Sequence, residues 1–285
     1  MPEKLPDETT IGRVSLTVSD LERSIAFYRD RIGFRLLERA GEVATLGAGD
    51  RPLLQLHGNP GARRPAGATT GLYHFAILLP GRRHLAHALH HLAESGTRLQ
   101  GFADHFVSEA VYLADPDGNG IEIYRDRPRE QWSYRGGQLQ IGTEPLDVDD
   151  LLGELEEPVP SWPGLPAGTT IGHVHLHVAD LLAAETFYRE IVGLDLMMHY
   201  GTAAAFLSAG GYHHHLGLNR WAGAGAPPPP PGAPGLRWWE LRLPEDALDP
   251  LLARARAAGL NPEQEDGAWY LPDPSRNLLR LAVFA

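Results

Sequence analysis

The chain has 285 residues, 43% of them hydrophobic and 21% charged, as in a soluble globular protein of about two domains. A formal net charge of −11 argues against nucleic acid or an anionic membrane surface as the partner, because both need a basic footprint. Cysteine is absent, which excludes disulfides and thiolate metal sites, and no run of about 18 apolar residues predicts a membrane span. The opening MPEKLPDETT lacks the apolar core of a signal peptide, so a cytoplasmic location is expected.

Residues 11–18 alternate as a strand, with Val14, Leu16 and Val18 on one face and Arg13, Ser15 and Thr17 on the other. Asp20 then caps a helix carrying Leu21, Ile25, Phe27 and Tyr28 that stops near Gly33. Residues 34–57 predict three short strands broken by glycine and proline. A second such unit has a strand over 72–79, a helix over 82–94 ended by Gly96, and strands near 98–102, 110–114 and 121–124. Residues 126–168 predict an inter-domain linker with one short helix. A third unit runs from Thr169 to about Trp221. The proline-rich segment 222–235 predicts an extended surface connector, and a fourth unit follows with a helix over 246–258. The expected fold class is α+β. Four βαβββ modules would form two barrel-like domains, over 1–128 and 169–285, joined by the linker at 129–168.

The chain repeats itself. Residues 9–34 and 169–194 match at an offset of 160, with 13 of 26 positions identical, as in a duplicated structural unit. Arg13, Ser15 and Thr17 in the first copy become His173, His175 and His177 in the second. The chemistry is therefore sought where the copies diverge.

His74 lies on the lead strand of module two, Glu122 on its closing strand within DPDGNGIEIY, and His173 on the lead strand of module three. Two neutral imidazoles and a carboxylate form the facial set of non-haem Fe(II) oxygenases. A carboxylate within the core-like strand IEIY is costly unless paired or metal-bound. His84, His87, His90 and His91 predict a solvated helix face, and His57, His105 and His199 are isolated. In the run Tyr212-His213-His214-His215, strand alternation puts His213 and His215 on one face and His214 on the other. Phe75, Trp221, Trp238 and Trp239 are candidates for an apolar pocket wall, with core packing the commoner role for each.

The segments IGHVHLHVADL, FYREIVGL, YHFAILLP and DPDGNGIEIY resemble the vicinal-oxygen-chelate superfamily of glyoxalase I, bleomycin-resistance proteins and extradiol dioxygenases. The similarity covers nearly all of the chain outside the linker and is greatest to two-domain catechol 2,3-dioxygenase-like proteins. It implies Fe(II), or Mn(II), held by His74, Glu122 and His173. It implies a small aromatic diol and O2 as substrates, as in aromatic catabolism. Tyr112, ten residues before Glu122, matches the family's active-site tyrosine, and His213 or His215 its acid-base histidine. His105 matches a further family histidine if a short gap is allowed. A homodimer accords with the family's habit, and no nucleic acid or membrane partner is implied.

The sequence departs from the pattern in module four, where Trp238-Trp239 and Arg280 stand at the ligand positions, and in module one, where Arg13 does. Modules two and three alone supply a full set, so they are expected to pair, leaving modules one and four as a degenerate pair. Two other readings stay open. A glyoxalase-type lyase or isomerase would use Ni(II) or Zn(II), although the strand HHHLGLN lacks its fourth, carboxylate ligand. A non-catalytic resistance protein would bind a small molecule without a ligand set.

Overall fold

The computed structural model describes residues 3–136 and 138–284. Asp20 and Asp180 cap the equivalent helices of modules one and three, each side chain accepting from a backbone N–H three residues on. Both helices end in a π-type turn closed by glycine in the left-handed region, Gly33 at φ 97° and Gly193 at φ 102°. Repeated sequence thus gives repeated local geometry down to the cap residues.

The strands assemble into two eight-stranded sheets. One joins modules one and four through antiparallel pairing of their lead strands, Thr10–Val18 with Gly235–Leu243. The other joins modules two and three through Gly71–Leu78 and Thr170–His177. In each sheet a lead strand also pairs in parallel with its own module's closing strand, as Gly71–Leu78 does with Gly120–Asp126. Pairing therefore joins module two with three and module one with four, and neither sheet joins one with two or three with four.

The consecutive modules are tied in another way. Tyr28 of module one donates to Asp115 of module two at 2.9 Å, and Tyr188 of module three donates to Asp273 of module four at 3.1 Å. One continuous apolar core, including Leu16, Phe34, Phe75, Ile121, Tyr188 and Trp239, runs across both sheets and their helices. No helix among the described residues is long and apolar enough to cross a membrane.

Three expectations change on folding. The histidine face of the helix Arg82–Glu94 is not simply solvated: it docks on the linker, with His91 stacked on Trp162 at 5.6 Å and His87 Nε2 2.8 Å from the Pro160 carbonyl. The linker also forms a short hairpin, Tyr134–Arg135 with Gln138–Leu139, besides its helix Val148–Leu152. The run His213–His215 precedes the strand Leu216–Asn219 and lies outside it, so strand alternation does not set its side chains.

Candidate metal centre

The register of the second sheet explains why distant residues meet. Tyr112, Glu122, Ala76 and His173 are cross-strand partners in one row across four adjacent strands. His74 lies two residues from Ala76, so it points to the same face of the same strand. Ala76 contributes only a methyl group to the centre of the row, which leaves room for the flanking side chains. The neighbouring row runs Gly120, His74, His175, Gly217, Phe206. A Cβ at Gly217 would stand 2.7 Å from the His175 ring, so that position must stay bare for the ring to fit.

His74, Glu122 and His173 each bring one ligand atom to a common point, all three within 4.8 Å of one another. One carboxylate oxygen, Glu122 Oε2, lies 3.1 Å from Nε2 of both His74 and His173. Only His173 has the angle of a hydrogen bond to it; His74 Nε2 is buried without a hydrogen-bond partner. A buried unpaired nitrogen costs about 1–3 kcal/mol. A divalent ion at that point would take both imidazole lone pairs and the carboxylate, so the donor set fits a metal.

The protonation states suit the same role. Burial would raise the Glu122 pKa, but His173 and His74 outweigh it and hold the carboxyl well below its usual range. Burial pushes His173 down to about 4, against the pull of Glu122. At neutral pH Glu122 is thus a carboxylate and the His173 ring is neutral, the forms that bind metal.

A cavity of about 550 Å³ opens above these three residues. Tyr112, His105, His175 and His214 line it; His213 and His215 do not. This corrects the expectation that His213 or His215 faces the metal ligands. His214 does so, its ring centroid 4.1 Å from that of His173. His213 is fully buried behind it, bridging His214 Nδ1 at 2.8 Å and Asp126 at 2.9 Å. His215 turns away, its Nδ1 accepting from the Ala209 N–H. The loop ahead of the strand lets three consecutive rings point in three directions, which a pleated strand forbids.

Hydrogen-bond partners assign the tautomers of three rings. A carboxylate only accepts, so His213 Nε2 carries a proton; in the neutral tautomer of that ring, Nδ1 then accepts from His214 Nδ1–H. That leaves His214 Nε2 as a bare lone pair. Likewise His105 Nδ1 donates to the Gly142 carbonyl at 2.6 Å, so its Nε2 accepts from the Tyr112 hydroxyl at 2.7 Å. Ile141, Gly142 and Thr143 of the linker also line the cavity, a contribution that no motif in the sequence signals. Of the aromatic candidates, Trp221 lines it, Phe75 and Trp239 are core, and Trp238 belongs to the other sheet.

The first sheet carries a different filling at the matching positions. Arg13 and Arg280 lie over the Trp238 ring at 5.6 and 5.3 Å, and both donate to Glu240 Oε2. Side-chain cations thus stand where the second sheet gathers metal ligands. Glu240→Gln leaves the buried Arg280 uncompensated and is expected to cost about 3–5 kcal/mol in urea unfolding. Replacing Arg280 and Glu240 together by Met and Leu should recover most of that loss. Equal stability of the single variant and the parent would show that this cluster contributes nothing.

Burial, with the nearby His213 and His173, pushes His215 down to about 3. His215 and His173 therefore fold neutral, while the unfolded chain protonates both near pH 6.5. Stability of the metal-free protein is present above that pH and should fall as pH drops towards 4 and 3, by on the order of a few kcal/mol. Urea midpoints at pH 7.5 and pH 5 test this; His215→Asn should flatten the difference, and coincident midpoints for the parent would contradict it.

The fold and the converging His-Glu-His set define a class of protein. A sequence profile of the Glyoxalase/Bleomycin resistance protein/Dioxygenase superfamily matches residues 10–123. A catechol-2,3-dioxygenase of Bacillus subtilis (strain 168) is 46% identical over 273 residues, covering 94% of this chain and 95% of that protein. The chain belongs to this superfamily and is a dioxygenase-like oxidoreductase within it. Two solved structures share the fold. A protein from Bacillus subtilis subsp. subtilis str. 168 has a TM-score of 0.63 at 15% identity, covering 99% of this chain and 86% of that one. Glyoxalase I from Zea mays has a TM-score of 0.58 at 17% identity, covering 96% and 92%.

Proposed function

We propose that the protein is an Fe(II)-dependent extradiol dioxygenase that opens the ring of a catechol beside its two hydroxyl groups. The observation that carries this reading is the convergence of His74, His173 and Glu122 at the floor of a cavity also lined by Tyr112 and His214. The 46% identity to a catechol-2,3-dioxygenase supports the substrate class.

The chemistry that Fe(II) supplies when bound is Lewis acidity, with open positions for the diol oxygens and O2. The chain's own residues do the rest. His214 Nε2, left bare by its tautomer, takes a proton from a substrate hydroxyl, and His213 with Asp126 keeps that ring oriented. Tyr112 donates its hydroxyl hydrogen bond to His105, so its oxygen accepts from a substrate hydroxyl and holds the diol in place. The apolar walls exclude water from the reacting oxygens.

The test is oxygen uptake by protein loaded anaerobically with Fe(II) or Mn(II) and given catechol, with the yellow ring-opened product followed by absorbance. Uptake with Fe(II), lost in His173→Ala, is expected. Bound metal without uptake would overturn the reading.

A further inference from the structure

The cavity is larger and more apolar than a bare diol ring requires. About 150 Å³ suffices to hold benzene; this site offers about 550 Å³. Aromatic and apolar side chains from several elements line it. Phe102 comes from the outer strand of module two, and Met198 and Tyr200 from the outer strand of module three. Tyr73 comes from the lead strand Gly71–Leu78, and Trp221 from the start of the proline-rich connector. Tyr73 and Trp221 meet edge-on at 5.1 Å. Large aromatics at the mouth stay accessible: Tyr73 is 41% exposed, Phe102 39%, Trp221 48% and Tyr200 54%. Clustered exposed aromatic surface around a cleft marks a ligand surface.

Charge is the second observation. The chain has 25 Lys and Arg, yet none lines this cavity among the described residues, and the one carboxylate in its wall is Glu122. A carboxylate or phosphate on the substrate would lose its water against apolar rings and find no cation in return. An alkyl or aryl group would gain from the same burial.

We infer that the substrate of this site carries an uncharged, apolar substituent of at least a short alkyl chain beside its diol. This inference rests on the diol-cleaving reading for the diol itself, and on the cavity wall for the substituent. The test is calorimetric binding to Fe(II)-loaded protein under nitrogen, where no turnover occurs. The ligands are catechol, 4-propylcatechol and 3-(3,4-dihydroxyphenyl)propanoate, the last two matched in length. 4-Propylcatechol is expected to bind about tenfold to fiftyfold more tightly than either of the others. Met198→Arg, which adds a cation to the wall, should bring the propanoate closer to 4-propylcatechol.

Equal or tighter binding of the propanoate by the parent protein would overturn the inference, as would the failure of all three to bind. Admitting air separates the two claims. Preferred binding of 4-propylcatechol without oxygen uptake would sink the dioxygenase reading and leave the cavity's selectivity standing. Uptake without discrimination among the three would do the reverse.

Discussion

Glu122→Gln is expected to abolish metal retention and, with it, ring cleavage. The change removes one charge and almost no volume. Its carboxylate oxygen lies 3.1 Å from both imidazoles, so it is the one group that touches each of the other two ligands. An amide oxygen is a weak ligand, and the two neutral rings alone leave the positive charge of a divalent ion unbalanced. Bound metal after gel filtration should fall from about one per chain to below about a tenth, and turnover by at least about a thousandfold. The fold should survive, because the buried carboxylate is itself costly without a metal. Metal analysis and circular dichroism on one preparation separate the two effects. Full metal content in the variant would remove Glu122 from the ligand set.

His214→Asn is expected to lower kcat by about a hundredfold to ten-thousandfold while metal content stays near that of the parent. His214 lines the cavity and, by its tautomer, offers a bare Nε2. His213→Asn should behave differently. That ring is fully buried between His214 and Asp126, so its loss leaves hydrogen-bonding groups unpaired and should cost about 1–3 kcal/mol of stability. Its effect on kcat should be smaller, since it acts on His214 and not on the substrate. His215→Asn, outside the cavity wall, should leave kcat within about twofold. Steady-state oxygen uptake on the three variants orders them. A larger kcat loss in His213→Asn than in His214→Asn would reverse the assignment.

Much of this molecule was legible in one dimension. The duplicated segment predicts equivalent strand-helix units, and the structure carries them through to matching Asp caps and left-handed Gly stops. Local signals suffice there, because a cap or a glycine turn depends on residues a few positions apart. The candidate ligands were legible for another reason. Arg13 and His173 occupy the same place in the repeat, so the contrast between copies isolates the changed chemistry. The expectation that modules two and three pair also came from residue types, since neither consecutive pair holds a full ligand set, and the sheet order joins those modules.

The run at 212–215 departs from strand alternation because alternation applies only inside a strand, and pairing with a neighbour decides where a strand begins. Here it begins at Leu216, so the three rings are placed by a loop and by Asp126, 87 residues from His213. The linker's part in the cavity wall was hidden for the same reason. Ile141, Gly142 and Thr143 carry no motif, and the backbone around them is held at the site by His105 and Asp104. By itself the sequence determined the modules, their caps and the identity of the three converging side chains, through short-range geometry and the asymmetry of a repeat. Only the tertiary structure decided which histidine faces them and what walls the cavity, because both depend on contacts between segments far apart in the chain.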